Sequence, residues 1–196
     1  MTEQPVRTLL FLSDLDGGGA QRTFVNLTNA LPRDRIAPTL AVARGDGPAR
    51  DWLDADTSLI DLKKTRLRNA ILPLRQLIRR DRPAVVISTI ADANVVAWLA
   101  TRRLPIKLML RETNSHRARD DIGWLRRSLI ARAYRRADAV IALSEGIRRE
   151  LVADVGLDAA KAHMIHNPVD IKSIPRSLAS QPAAPIQKNG PLILGI

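Results

Sequence analysis

The chain has 196 residues, of which 45% are hydrophobic and only 3% aromatic, and it carries a formal net charge of +11. It can therefore bury an aliphatic core under a surface that favours anionic partners. The absence of cysteine excludes disulfides and thiolate metal sites, no stretch approaches the roughly 18 apolar residues of a spanning helix, and the N-terminus lacks the basic-then-apolar order of a signal peptide. The expectation is a soluble or peripheral protein.

Short apolar runs alternate with amphipathic patterns along the chain. Residues 7–13 read as a buried strand, followed by glycines and a helix over 18–31 with Phe24, Leu27, Ala30 and Leu31 on one face. Strands are predicted at 38–44 and 58–62, then a helix over 69–80 with Ile71, Leu74, Leu77 and Ile78 inward and Pro73 confined to its first turn. A strand at 84–88, a helix at 92–101, a strand at 106–110 and a helix at 121–136 follow. The pattern ends with a strand at 139–142, a helix at 145–155 and a strand at 162–166. Continuous apolar strands separated by helices predict an α/β fold, a Rossmann-like parallel sheet with helices on both faces. Residues 1–171 form this domain, 172–190 read as an interdomain linker rich in Pro, Ser, Ala and Gln, and 191–196 (PLILGI) as the first strand of a second domain.

In such sheets ligands bind beyond the carboxyl ends of the strands. Gly17, Gly18 and Gly19 stand at one such end and open a helix, where free amides and the positive dipole end suit a phosphate. The same glycines also serve a plain tight turn. They do not make GxGxxG, and no P-loop Lys-Ser/Thr pair follows. Arg111, Glu112, Asn114 and His116 follow the strand predicted at 106–110. Arginine clamps phosphate bidentately, while Glu or His positions a sugar hydroxyl or stabilises developing charge; His116 fits equally as part of a polar loop. Ser144 reads first as a helix N-cap and second as a ligand contact, and HNPVD at 166–170 as a turn that sets interdomain geometry. Three scattered histidines offer no metal site.

Basic residues crowd 63–82 and 102–136. Arg75, Arg79 and Arg82 project from the 69–82 helix. Ile122, Trp124, Leu125 and Leu129 lie near Arg126, Arg127 and Arg132, a pattern that can dip into anionic headgroups. Single-stranded nucleic-acid binders interleave stacking aromatics that are scarce here, so no nucleic-acid partner is expected.

Four segments together resemble glycosyltransferase family 4 (GT4): GGGAQRTFVNLTNAL (17–31), RPAVVIS (82–88), ADAVIALSEGIRREL (137–151) and HMIHNPVDI (163–171). PLILGI resembles the opening strand of that family's C-terminal domain. The resemblance implies one half of a GT-B fold, the acceptor-side domain of a retaining hexosyltransferase that faces a nucleotide-sugar domain across a cleft. It implies that Gly17, Gly18, Gly19 and Arg22 stand beside the donor diphosphate. Arg111 and Glu112 then stand where many members place a histidine, as the catalytic candidates, with Asn114, His116 and Ser144 on the acceptor side. The implied partners are a nucleotide-sugar donor, a saccharide or glycolipid acceptor in cell-envelope assembly, and an anionic inner-membrane surface approached from the cytoplasm. No cofactor or metal is implied, and the 196 residues without the second domain are expected to be inactive.

Overall fold

The computed structural model describes residues 4–115 and 123–168; the segment 116–122 and residues 169–196, with His116, Ile122, the linker and PLILGI, lie outside that range. Seven strands, β1 (Val6–Leu12), β2 (Ile36–Val42), β3 (Ser58–Asp61), β4 (Val85–Thr89), β5 (Lys107–Glu112), β6 (Ala139–Ala142) and β7 (Ala162–Met164), form one parallel sheet in the order β3-β2-β1-β4-β5-β6-β7. Five helices connect them, α1 (Gly19–Ala30), α2 (Ile71–Asp81), α3 (Ala91–Thr101), α4 (Trp124–Arg136) and α5 (Glu145–Ala153). The expected Rossmann-like layer is present.

Strand alternation divides the core in two. Leu9 and Phe11 of β1 join Val86, Leu108, Leu110 and Val140 on one face, packed by Leu74 and Ile78 of α2, Ala97 of α3 and Ile130 and Tyr134 of α4. Leu10 and Leu12 join Leu40 and Val42 on the other, packed by Phe24 and Val25 of α1. The strand order reverses between β1 and β4, whose registers align Phe11 with Ser88. Ligand crevices form at this kind of switch point, beyond the carboxyl ends of the strands.

Several predicted bounds shift for physical reasons. The inward face of α1 is Gln21, Thr23, Phe24, Val25 and Thr28, with Leu27 and Leu31 only half-buried and Ala30 exposed. Thr23 and Thr28 are cheap to bury because each hydroxyl donates to a carbonyl one turn back, Gly19 O at 2.8 Å and Phe24 O at 2.6 Å. A 3₁₀ turn at Leu67–Ala70 takes the place of the first residues predicted for α2. This puts Pro73 at the third helical position, where its missing N–H leaves no helical bond unmade. The β5 strand runs two residues past its predicted end, so Arg111 and Glu112 are strand residues rather than loop residues. Arg75 is not a free surface cation: its guanidinium donates to Ala100 O and Arg102 O, both at 2.8 Å, and so caps the end of α3.

Candidate functional site

The loop after β1 carries the glycines to the switch point, and each glycine meets a different demand. Gly17 has φ +91°, and a Cβ there would lie 3.1 Å from Pro48 Cγ, so both backbone and space disfavour a side chain. At Gly18, the residue before α1, a Cβ would meet the end of the Gln21 side chain, with Oε1 at 2.8 Å. At Gly19 a Cβ would have nothing within 4 Å, and φ is ordinary. Sterically, a side chain at position 19 would fit. Among the described residues no side chain caps α1, so its first amides are left without a cap at the carboxyl end of β1.

The acidic residues of this loop are already engaged. Asp16 pairs with Arg44 at 2.6 Å. Asp14 accepts from Gln21 Nε2 at 2.7 Å and from Asp16 N at 3.2 Å. Burial pushes the Asp14 carboxyl up, but bonds from Ser13, Gln21 and Asp16 outweigh it and hold the group below its ordinary value. The loop therefore presents N–H groups rather than bare carboxylates. Arg22 is exposed on the outer side of α1, its guanidinium 5.4 Å from the centroid of Trp52.

Across the switch point, the last two residues of β5 point to opposite faces. Arg111 turns toward α1, is 5% exposed, and lies 5.8 Å from the Phe24 ring centroid. It donates to Thr89 Oγ1 at 2.8 Å and to Asn167 Oδ1. Both partners are neutral. Burial pushes its guanidinium down to about 10, partly offset by the field of Glu112, so it stays cationic at neutral pH. Glu112 turns toward α3 and α4 and is fully buried. One of its oxygens accepts from the amides of Thr113 at 2.8 Å and Asn114 at 3.0 Å; the other accepts from the Tyr134 hydroxyl. The two residues share a strand end but not a function: Arg111 is a cation that neutral groups steady, and Glu112 is a carboxylate that holds a turn and a helix.

Asn114 lies exposed on the turn that Glu112 holds, and Ser144 is the N-cap of α5, accepting from Ile147 N at 3.2 Å as its sequence context favoured. The structure thus gathers the glycine loop and Arg111 around α1, and sets Glu112 and Asn114 on the other face. Sequence reasoning missed four participants. Asn167 does more than turn the chain, since it binds Arg111. Thr89 binds Arg111 from β4. Asn94 donates to Arg111 O at 3.0 Å, and its own oxygen has no partner among the described residues. Ile90, between β4 and α3, holds φ +72°, a strained conformation for a β-branched residue at the switch point. A buried-side asparagine on the largely apolar helix α3 was the one local signal available.

A family description, Glycosyltransferase Family 4, matches residues 17–173. The chain belongs to Glycosyltransferase Family 4. No curated protein sequence matches it directly. Among solved structures, Anabaena HepE in complex with UDP-glucose aligns with TM-score 0.68 at 15% identity, over 88% of this chain and 49% of that one. The lipopolysaccharide outer core galactosyltransferase WaaB aligns with TM-score 0.61 at 16% identity, over 85% and 47%. UDP-N-acetylglucosamine 2-epimerase from Rickettsia bellii aligns at 0.66 and 15%, over 90% and 49%. The chain spans about half the length of these proteins. An epimerase and transferases share this layer, so the layer alone selects no reaction. In this family 4 domain the glycine loop, Arg111 and the strained β4–α3 turn converge where the strand order reverses. Among the described residues no helix is long and apolar enough to cross a membrane.

Proposed function

We propose that this domain is the acceptor-side half of a retaining hexosyltransferase that moves a hexose from a nucleotide-sugar to a lipid-linked or saccharide acceptor in cell-envelope polysaccharide or glycolipid assembly. Gly19 carries the reading. A glycine at the first position of a helix costs the helix stability relative to alanine, and at Gly19 no described atom beyond the adjoining residues and the helix's own backbone stands within 4 Å of where a Cβ would sit. What requires the missing side chain is then a ligand that comes against the backbone, and uncapped amides select an anion. In this reading the amides of Gly18 and Gly19 and the cationic Arg111 meet the donor diphosphate. They stabilise the negative charge that builds on it as the sugar departs. Arg22 extends the positive rim, and the reaction proceeds without a metal ion. Glu112, with both oxygens committed, positions the turn bearing Asn114, which with His116 serves the acceptor. The Ser144 hydroxyl accepts the Ile147 amide and keeps its proton to donate to a sugar oxygen.

A second domain supplies the other wall of the cleft and most of the nucleotide contacts. Transfer from a nucleotide-sugar is expected to be undetectable with the 196 residues alone and to appear when they are joined to a family 4 C-terminal domain. Turnover by the 196 residues alone overturns the reading. In the joined enzyme, Gly19→Ala is expected to lower kcat at least about tenfold, since even a methyl group displaces the diphosphate from its amides.

One surface favours a second element of the proposal, docking at an anionic inner leaflet. Leu72 is 69% exposed on α2, which also carries Arg79, and Trp124 and Leu125 are 79% and 59% exposed on α4, which also carries Arg127. Co-sedimentation with phosphatidylglycerol vesicles that fades as salt rises supports docking. Binding to neither anionic nor neutral vesicles removes it, and binding without turnover in the joined protein favours a noncatalytic membrane-surface module instead.

A further inference from the structure

At the opposite edge of the sheet, where β5 begins, a cavity of about 380 Å³ opens between the end of α3 and the last turns of α4. Its walls include Trp98, Arg102, Arg103, Arg132, Arg136 and Asp138. The four arginines come from two separate stretches of chain and converge only through the packing of α3 on α4.

Arginines near helix ends ordinarily satisfy terminal carbonyls and the negative end of the dipole. Here that work is done by other residues. Arg75 already binds the carbonyls of Ala100 and Arg102 at the end of α3. Lys161 Nζ binds Ala137 O, just past α4, at 3.1 Å, and Arg135 reaches away to Val155 O at 3.2 Å. The one carboxylate among the described residues lining the cavity is also committed, since Asp138 accepts from Lys107 Nζ at 3.0 Å and from Leu108 N at 2.9 Å. Burial pushes the Asp138 carboxyl up, but those bonds prevail and keep it ionised.

Four guanidinium groups therefore remain around one opening with no carboxylate or carbonyl partner among the described residues. The Arg102 guanidinium lies 5.6 Å from the Trp98 ring centroid, which steadies it against the cavity wall. Arg103 holds φ +59°, a left-handed conformation in which glycine would be unstrained. Like charges gathered at one opening repel until a counter-charge enters. Guanidinium forks fit the oxygens of phosphate in pairs, so an anion with several oxygens and more than one charge matches four of them.

We propose that this cavity is an anion site for a phosphomonoester or diphosphate group, separate from the crevice at the other edge of the sheet. The group belongs either to a soluble phosphate compound or to a lipid headgroup, because the cavity lies beside the exposed leucine of α2, with Leu72, Arg102 and Arg103 bordering one continuous hollow. The site stands whether or not the transfer reaction proposed above is correct, since it uses none of the same residues.

The test is titration of the 196-residue chain with inorganic pyrophosphate at physiological salt, followed by calorimetry. Saturable binding is expected, weakened at least tenfold by Arg132→Gln combined with Arg136→Gln. A control pair with the same charge loss, Arg7→Gln with Arg35→Gln, is expected to weaken it less than twofold. Arg103→Gly removes one guanidinium while relieving its backbone strain. It is expected to keep or raise the melting temperature and still weaken binding severalfold, which separates a lost site from a lost fold. Absence of saturation up to 10 mM pyrophosphate, equal weakening by both pairs, or saturable binding that the Arg132 and Arg136 pair leaves unchanged overturns the proposal. Vesicles containing phosphatidic acid, with phosphatidylcholine vesicles as control, identify the source. If pyrophosphate competes with them and the Arg132 and Arg136 variants lose them, the group is a lipid headgroup; if vesicle binding ignores those variants while pyrophosphate binding needs them, it is a soluble phosphate.

Discussion

Arg111 and Glu112 are adjacent in β5, yet the two faces of the sheet use them in opposite ways. On the α1 face, the Arg111 charge is buried against a phenylalanine ring and two neutral oxygens, with no carboxylate bonded to it among the described residues. On the α3–α4 face, Glu112 is buried with its oxygens filled by two amides and a tyrosine hydroxyl. Both are expensive residues to bury, but only the glutamate is repaid inside the fold. A buried charge with neutral partners is a group waiting for a counter-ion, whereas a buried charge with full hydrogen bonding is a structural joint. The comparison separates residues the fold needs from residues it merely tolerates.

The sharpest way to break that division is to truncate each residue. Glu112→Ala leaves two amides and the Tyr134 hydroxyl without their acceptor, and is expected to cost about 3 kcal/mol, lowering the melting temperature by roughly 6–12 °C. Arg111→Met keeps the volume and removes the charge. Asn167 is exposed and can bond water instead, so stability is expected to stay within about 1 kcal/mol of the original. Thermal melts of the two variants side by side decide the matter. If Arg111→Met unfolds the protein as readily as Glu112→Ala, both residues are joints and the distinction fails. In the enzyme joined to its second domain, Arg111→Met is expected to lower transfer by at least about 100-fold, on the scale of losing one donor to a developing anion.

The layer and the order of its elements were legible in the sequence because buried parallel strands leave continuous apolar runs, which AVVIS and TLLFL supply. The end of β5 was not. A strand is read from its apolar residues, and the pattern stops at the charged pair Arg111-Glu112. What carries that pair into the sheet is tertiary: Thr89 and Tyr134 lie 22 residues away from their partners, and Asn167 lies 56 away. The same holds for the cavity at the other edge. The arginine crowding over 102–136 is plain in the sequence, but its convergence on one opening depends on how α3 packs against α4. Ser144 was easier, since an N-cap is a local device and needs only the residues that follow it.

The glycine loop repeats the comparison at smaller scale. Gly17 belongs to the fold: alanine there must hold φ near +91° and press on Pro48, at an expected cost of about 1–2 kcal/mol. Gly19 does not, so Gly19→Ala is expected to raise stability by about 0.5 kcal/mol through the better helix propensity of alanine. Denaturant melts resolve the two, because the variants should move the midpoint in opposite directions at an unchanged slope. A loss of stability at Gly19 would mean that the fold itself needs the missing side chain, and the argument for a ligand at that backbone would fall with it. A gain, found together with the loss of transfer expected in the joined enzyme, would show a position where the chain gives up stability to keep a space open for something else.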